Sequence, residues 1–103
     1  MLGEFEYLVI SAAARLGEDA YGAAIRAEIE KTAGRVCSIG ALYTTLDRLE
    51  AKNLVTTWMG EATPQRGGRP KRMVSVTKQG AQVAAEFYTA IAQMSRGLSW
   101  ATK

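Results

Sequence analysis

The chain of 103 residues contains no histidine and a single cysteine. Without histidine it lacks the side chain that most often serves as a base near neutral pH, and also the commonest metal ligand. One cysteine, Cys37, can make neither an intramolecular disulfide nor a zinc cluster. It precedes a helix start, where a thiol can become reactive, but a small buried thiol is the simpler role. Carboxylates do not supply a catalytic pair, because Glu28 and Glu30 are two positions apart and point to different faces of one helix. The glycines from Gly60 to Gly68 lack the Gly-Lys-Ser/Thr ending and the following helix of a phosphate-binding loop. Long hydrophobic runs are missing as well. Tyr7 to Ala14, with Ser11 inside, is far short of the ~20 residues of a membrane-spanning helix. Met1 to Leu16 has no basic start of a secretory signal. These absences predict a cytoplasmic protein that is not an enzyme, binds no cofactor or metal and stays off the membrane.

What is present matches one ordinary folded domain, with 48% hydrophobic and 22% charged residues. The net charge of +3 is small, but it is unevenly placed. Residues 1–34 carry three basic and six acidic side chains, a net of −3, whereas residues 53–80 carry five basic and one acidic, a net of +4. A local excess of positive charge of that kind suits a polyanionic partner.

Periodicity then orders the elements. Phe5, Leu8, Val9, Ala12, Ala13 and Leu16 fall at helical spacing and predict a first helix over about 3–16, ended by Gly17. Asp19 is placed to cap a second helix with Tyr21, Ala24, Ile25 and Ile29 on its apolar face and Gly34 as its stop. After the short extended piece Arg35-Val36-Cys37, Ser38 caps a third helix with Ile39, Leu42, Leu46 and Leu49 turned inward, ending at Asn53. Beyond it the period becomes 2. Val55 to Met59 and Met73 to Val76 read as a hairpin across a loop holding Gly60, Pro64, Gly67, Gly68 and Pro70. Thr77 caps a last helix, expected over 78–98, with Gly80, Ala84, Phe87, Ile91, Met94 and Leu98 alternating at 4 and 3. At 1.5 Å per residue it would be ~30 Å long, more than the preceding elements can cover. The expected fold is mainly α (α+β), a winged helix-turn-helix over residues 1–77 followed by a C-terminal dimerisation helix over 78–103.

Several stretches resemble one family. They are Leu2-Gly3-Glu4-Phe5-Glu6, Ala20-Tyr21-Gly22, the block from Ser38 to Val55, Gly67-Gly68-Arg69-Pro70-Lys71-Arg72 and Thr77-Lys78-Gln79-Gly80. Together they are similar to the PadR family of bacterial transcriptional regulators, in its short form with a single helix after the wing. Asn53 stands where family members often carry glycine, and both residues suit a helix end. The resemblance implies a winged-helix fold, DNA contacts on the third helix and, where an effector exists, a site near a dimer interface.

The residues support the same roles. Small residues Gly40 and Ala41 let the third helix approach a major groove closely, and Ser38, Tyr43, Thr44, Thr45 and Arg48 supply donors for phosphates or base edges. Asp47 and Glu50 would be repelled by phosphates. Arg66, Arg69, Lys71 and Arg72 lie within seven residues of the wing and can follow a sugar-phosphate backbone. Tyr21 can add a phosphate hydrogen bond. Phe5 and Leu8 with Ala84, Phe87, Ile91, Met94 and Leu98 form the expected face of a homodimer that would present two reader helices ~34 Å apart to a palindromic site. Tyr88 and Trp100 are candidates for stacking on a small aromatic effector, although Gly97 separates Trp100 from the helix. The reading is a sequence-specific regulator, most simply a repressor, binding double-stranded DNA as a homodimer. A winged-helix module that joins another protein through its last helix, and binds no DNA, is the alternative.

Overall fold

The computed structural model describes residues 2–60 and 70–101. Its elements run α1 (Glu4–Leu16), α2 (Gly22–Ala33), α3 (Ile39–Ala51), β1 (Val55–Met59), β2 (Arg72–Val76) and α4 (Lys78–Ser95), with 3-10 turns at Gly17–Asp19 and Ser99–Ala101. Three helices followed by an antiparallel hairpin give the mainly α winged helix-turn-helix that the periodicity predicts.

The amphipathic stripe of α1 makes it the centre of the core. It touches α2, α3, α4 and β2. Because it is covered from several sides, its buried set is wider than the predicted stripe. Val9, Ala12 and Ala13 are buried as expected, Ile10 joins them, and Phe5, Leu8 and Leu16 are only partly covered at the margin. Ile25 and Ile29 of α2, Leu42, Leu46 and Leu49 of α3, and Val55 and Val74 of the hairpin close the core around it.

The same crowding buries Glu6, at 6% exposure. Its carboxylate accepts the Gly3 N–H at 2.8 Å and pairs with the Lys52 ammonium at 3.0 Å, which ties the start of α1 to the end of α3. Burial alone would raise its pKa. The Gly3 hydrogen bond and Lys52, with Arg48 farther off, outweigh that and hold the carboxyl below the ordinary glutamate value.

Asp19 does not cap α2. It lies in the 3-10 turn, and the residue before α2 is Tyr21, with no side-chain cap. The turn leaves the next two residues free to join the sheet instead. The carbonyl of buried Ala20 accepts the Val74 N–H at 3.0 Å, and Tyr21 forms a bridge with Met73. The hairpin itself pairs Val55 with Val76 and Met59 with Arg72 at its two ends. Gly34 ends α2 in the left-handed region at φ 69°, and Asn53 does the same after α3 at φ 64°. Cys37 is partly exposed rather than buried, and its carbonyl accepts the Arg26 Nε–H at 2.6 Å.

Thr77 joins the hairpin to α4. Its hydroxyl donates to the Asn53 carbonyl at 2.7 Å and accepts the Gly80 N–H at 2.9 Å. Gly80 is buried against the Leu54 carbonyl, where a Cβ would collide with backbone. It is therefore a point of close approach rather than a member of an exposed seam. The helix is shorter than expected, stopping at Ser95, and Gly97 at φ 81° turns the chain away. Leu98 consequently lies outside α4, in the turn that precedes Ser99–Ala101.

Two outcomes follow from this packing. Gly80→Ala should lower the free energy of unfolding by about 1–3 kcal/mol, because backbone must shift to admit the methyl group; unchanged denaturant midpoints would contradict the close approach. A carboxyl whose pKa is lowered by folding stabilises above its unfolded value, and that contribution is lost as pH falls through the folded value. Glu6→Gln should therefore be less stable than the parent at neutral pH and lose less on acidification from about pH 5 downward. Parallel unfolding curves for parent and variant across that range would show that Glu6 makes no such contribution.

Candidate nucleic-acid interface

Leu42, Thr45, Leu46 and Leu49 are buried and so decide which way α3 faces. The opposite side is free. Gly40, Ala41, Tyr43, Thr44, Asp47 and Arg48 are exposed, and they form a face with small residues at the N-terminal end. Two expectations are corrected here. Ile39, expected inward, is exposed at the first turn, which projects beyond the core. Thr45, expected among the DNA contacts, is buried at 5% exposure because it shares the inward face with Leu42, Leu46 and Leu49.

The helix start is well made. Ser38 Oγ accepts the Ala41 N–H at 3.0 Å, so the residue expected to reach DNA is also the N-cap, with its hydroxyl hydrogen still free to donate. Tyr43 leans on the first turn of α2: a Cβ at Gly22 would lie 2.8 Å from its ring. That contact and the Tyr21 bridge bring the starts of α2 and α3 and the base of the wing into one neighbourhood.

The wing is only partly described. Arg66 and Arg69 lie outside the described residues. Lys71 sits with its ammonium 4.3 Å from the centre of the Tyr21 ring, so Tyr21 serves as a seat for a wing cation. Arg72, expected to face DNA, points back onto α3. Its guanidinium is 2.8 Å from Asp47 Oδ1 and 3.5 Å from Glu50 Oε1, lies 5.5 Å from the Tyr43 ring centre, and leaves its side chain 17% exposed. Asp47 and Glu50 offer it opposite charge at short range on the adjacent helix. The two acids of α3, set aside because phosphates would repel them, thus have a structural partner that sequence spacing could not reveal.

The family model for the PadR-like transcriptional regulators matches residues 9–86, which span α1 to the middle of α4. The chain belongs to the PadR-like family of transcriptional regulators. Among curated proteins none matches its sequence. Solved structures share the fold: a PadR family regulator from Clostridium difficile R20291 is 24% identical, covers 90% of this chain and 95% of its own, and superposes with a TM-score of 0.66. A transcriptional regulator from Clostridium thermocellum is 16% identical over 95% of this chain and 92% of its own, with a TM-score of 0.72. The Bacillus subtilis PadR, solved in complex with operator DNA, is 18% identical over 82% of this chain and 46% of its own, with a TM-score of 0.63.

As a PadR-like regulator, the chain acts in transcription and is not an enzyme. Among the described residues no helix is long and apolar enough to cross a membrane. Its remaining candidates divide between body and surface. Phe5 lies under the Arg35 guanidinium, 4.9 Å from its ring centre, and Leu8 packs against the core. Ala84 and Phe87 pack on α1, with the Phe87 and Tyr7 ring centres 5.0 Å apart. These four are thus partly covered within the chain, whereas Ile91 and Met94 are exposed, Met94 at 79%. Tyr88 lines a shallow groove between α1 and α4 with Tyr7, Ile10 and Ala14. Trp100 is exposed in the terminal turn and does not line that groove.

The cap gives a direct test. Ser38→Ala should cost about 1 kcal/mol of stability, and Ser38→Asp should retain most of it. Equal melting of wild type and Ser38→Ala would show that the cap contributes nothing.

Proposed function

We propose that this regulator is a repressor that binds double-stranded DNA as a homodimer, with α3 entering the major groove and the wing following the backbone. The observation that carries the reading is the face of α3 bearing Gly40, Ala41, Tyr43, Thr44 and Arg48, which is exposed beside a capped N-terminus while the opposite face is buried. A helix presented in this way can be admitted to a groove ~12 Å wide, and its N-terminal residues reach base edges first. The wing's Arg66 and Arg69, with Lys71 on Tyr21, supply positive charge for the phosphates. The solved relative with operator DNA makes the same mode of action reasonable for this fold.

The second half of α4 supports the dimer. Tyr88, Ile91 and Met94 leave one apolar face open, which a symmetric copy would cover, so residues 78–103 act as the dimerisation unit and 1–77 as the reader. Two copies would read a palindrome, and occupying a promoter would block transcription from it. The cell compartment is then the cytoplasm. A small planar aromatic effector, if one acts, would enter beside Tyr88 at that interface.

Binding of duplex DNA from upstream of the protein's own gene, measured across a salt series against a shuffled duplex, tests the function. Affinity should fall log-linearly with salt, and Arg69→Ala with Lys71→Ala should reduce the slope by about 0.9 for each phosphate that is no longer neutralised. Salt-independent association, or no preference for either duplex at any salt, would contradict it. Met94→Glu with Ile91→Glu should give monomers by sedimentation and weaken DNA binding, and a monomeric wild type would rule out the dimer.

A further inference from the structure

Arg72 is the residue whose surroundings least match a simple backbone contact. It stands at the start of β2, directly after the wing loop, yet its guanidinium faces α3. Asp47 and Glu50 are one turn apart on that helix, and Arg72 lies within salt-bridge reach of both. Thr57 of β1 completes the group: its hydroxyl donates to Glu50 at 2.8 Å and lies 3.4 Å from the Arg72 guanidinium. The Tyr43 ring, itself seated on Gly22, flanks the same guanidinium. One side chain therefore joins the two strands of the wing base to the helix proposed to read DNA.

Charge gives this junction a second task. A reader helix carrying two uncompensated carboxylates would be repelled by the phosphates on either side of a groove. The planar fork of arginine can serve two acceptors at once, whereas a lysine ammonium acts as a point charge. With Arg72 in place the three side chains carry a net charge of −1, against −2 for the two acids alone.

We propose that Arg72 is a positioning residue for DNA recognition: it offsets one of the two negative charges of Asp47 and Glu50 and sets the wing against α3, and it does not contact a phosphate. The proposal rests on the DNA-binding reading above. It distinguishes Arg72 from Arg66, Arg69 and Lys71, whose role in that reading is to contact the backbone. Removing Arg72 alone strands two carboxylates at the groove. Removing all three charged groups together leaves a neutral site in place of a net charge of −1, but leaves the wing without its brace.

The experiment compares wild type, Arg72→Gln, the triple variant Arg72→Gln/Asp47→Asn/Glu50→Gln, and Arg72→Lys on the upstream and shuffled duplexes across a salt series. Arg72→Gln should bind both duplexes about tenfold more weakly. The triple variant, with no charge left in the cluster, should bind the shuffled duplex at least as tightly as wild type and with the wild-type salt slope, while its preference for the upstream duplex stays reduced. Arg72→Lys, which keeps the charge and tests the role should the glutamine variant fold poorly, should keep the slope and lose the preference. A triple variant whose slope drops by about 0.9 per protomer would make Arg72 a phosphate contact and overturn the proposal. So would Arg72→Lys with undiminished preference. A wild type that binds neither duplex at low salt would instead overturn the DNA-binding reading on which the proposal depends.

Discussion

Burial of Leu42, Leu46 and Leu49 is the interaction on which the functional arrangement depends. Each is fully shielded from solvent, and together they lock the rotation of α3 against α1 and α2. At roughly 1.5–3 kcal/mol for each fully buried leucine, no surface contact of this helix competes with that anchor. Once the rotation is set, the outward residues are set too: Gly40, Ala41 and Thr44 face out because 3.6-residue spacing places them opposite the leucines. The exposed face proposed to read DNA is thus a by-product of core packing, and its precision is that of the core.

The base of the wing is tied to this helix by charge as well as by the burial of Val55 and Val74. Arg72 bridges β2 to α3 through Asp47 and Glu50, Thr57 links β1 to Glu50, and Lys71 rests on Tyr21. Just beyond the same end of α3, Lys52 reaches Glu6 and ties the helix back to α1. The C-terminal end of α3 is therefore tied by ion pairs to both the wing and α1, its middle is anchored by leucines, and its start is capped by Ser38. The acids paired with Arg72 are exposed, so those pairs contribute little to stability and their value lies in geometry.

Much of this was legible beforehand. Local signals located the caps at Ser38 and Thr77, the stops at Gly34 and Asn53, and the change of period at Val55, because each depends on backbone chemistry within a few residues. Contacts between distant residues were not legible. Asp19 has the right chemistry for a cap, but sheet pairing of Ala20 and Tyr21 moved the helix start. Thr45 is polar and lies near the recognition face, yet it is buried because the inward face is wider than the leucine spacing suggests. The burial of Glu6 and the partner of Arg72 depend on residues 46 and 25 positions away, which no spacing rule contains. Leu98 dropped out of the last helix because Gly97 adopts a positive φ.

In the proposed function α3 reads DNA and α4 serves assembly. Backbone amide chemical shifts, followed while duplex DNA from the upstream region is titrated into the protein, separate the two most directly. Shift changes should concentrate at residues 38–48 and in the wing, with residues 88–95 little affected. Changes confined to residues 88–95, with 38–48 unmoved, would contradict that proposal.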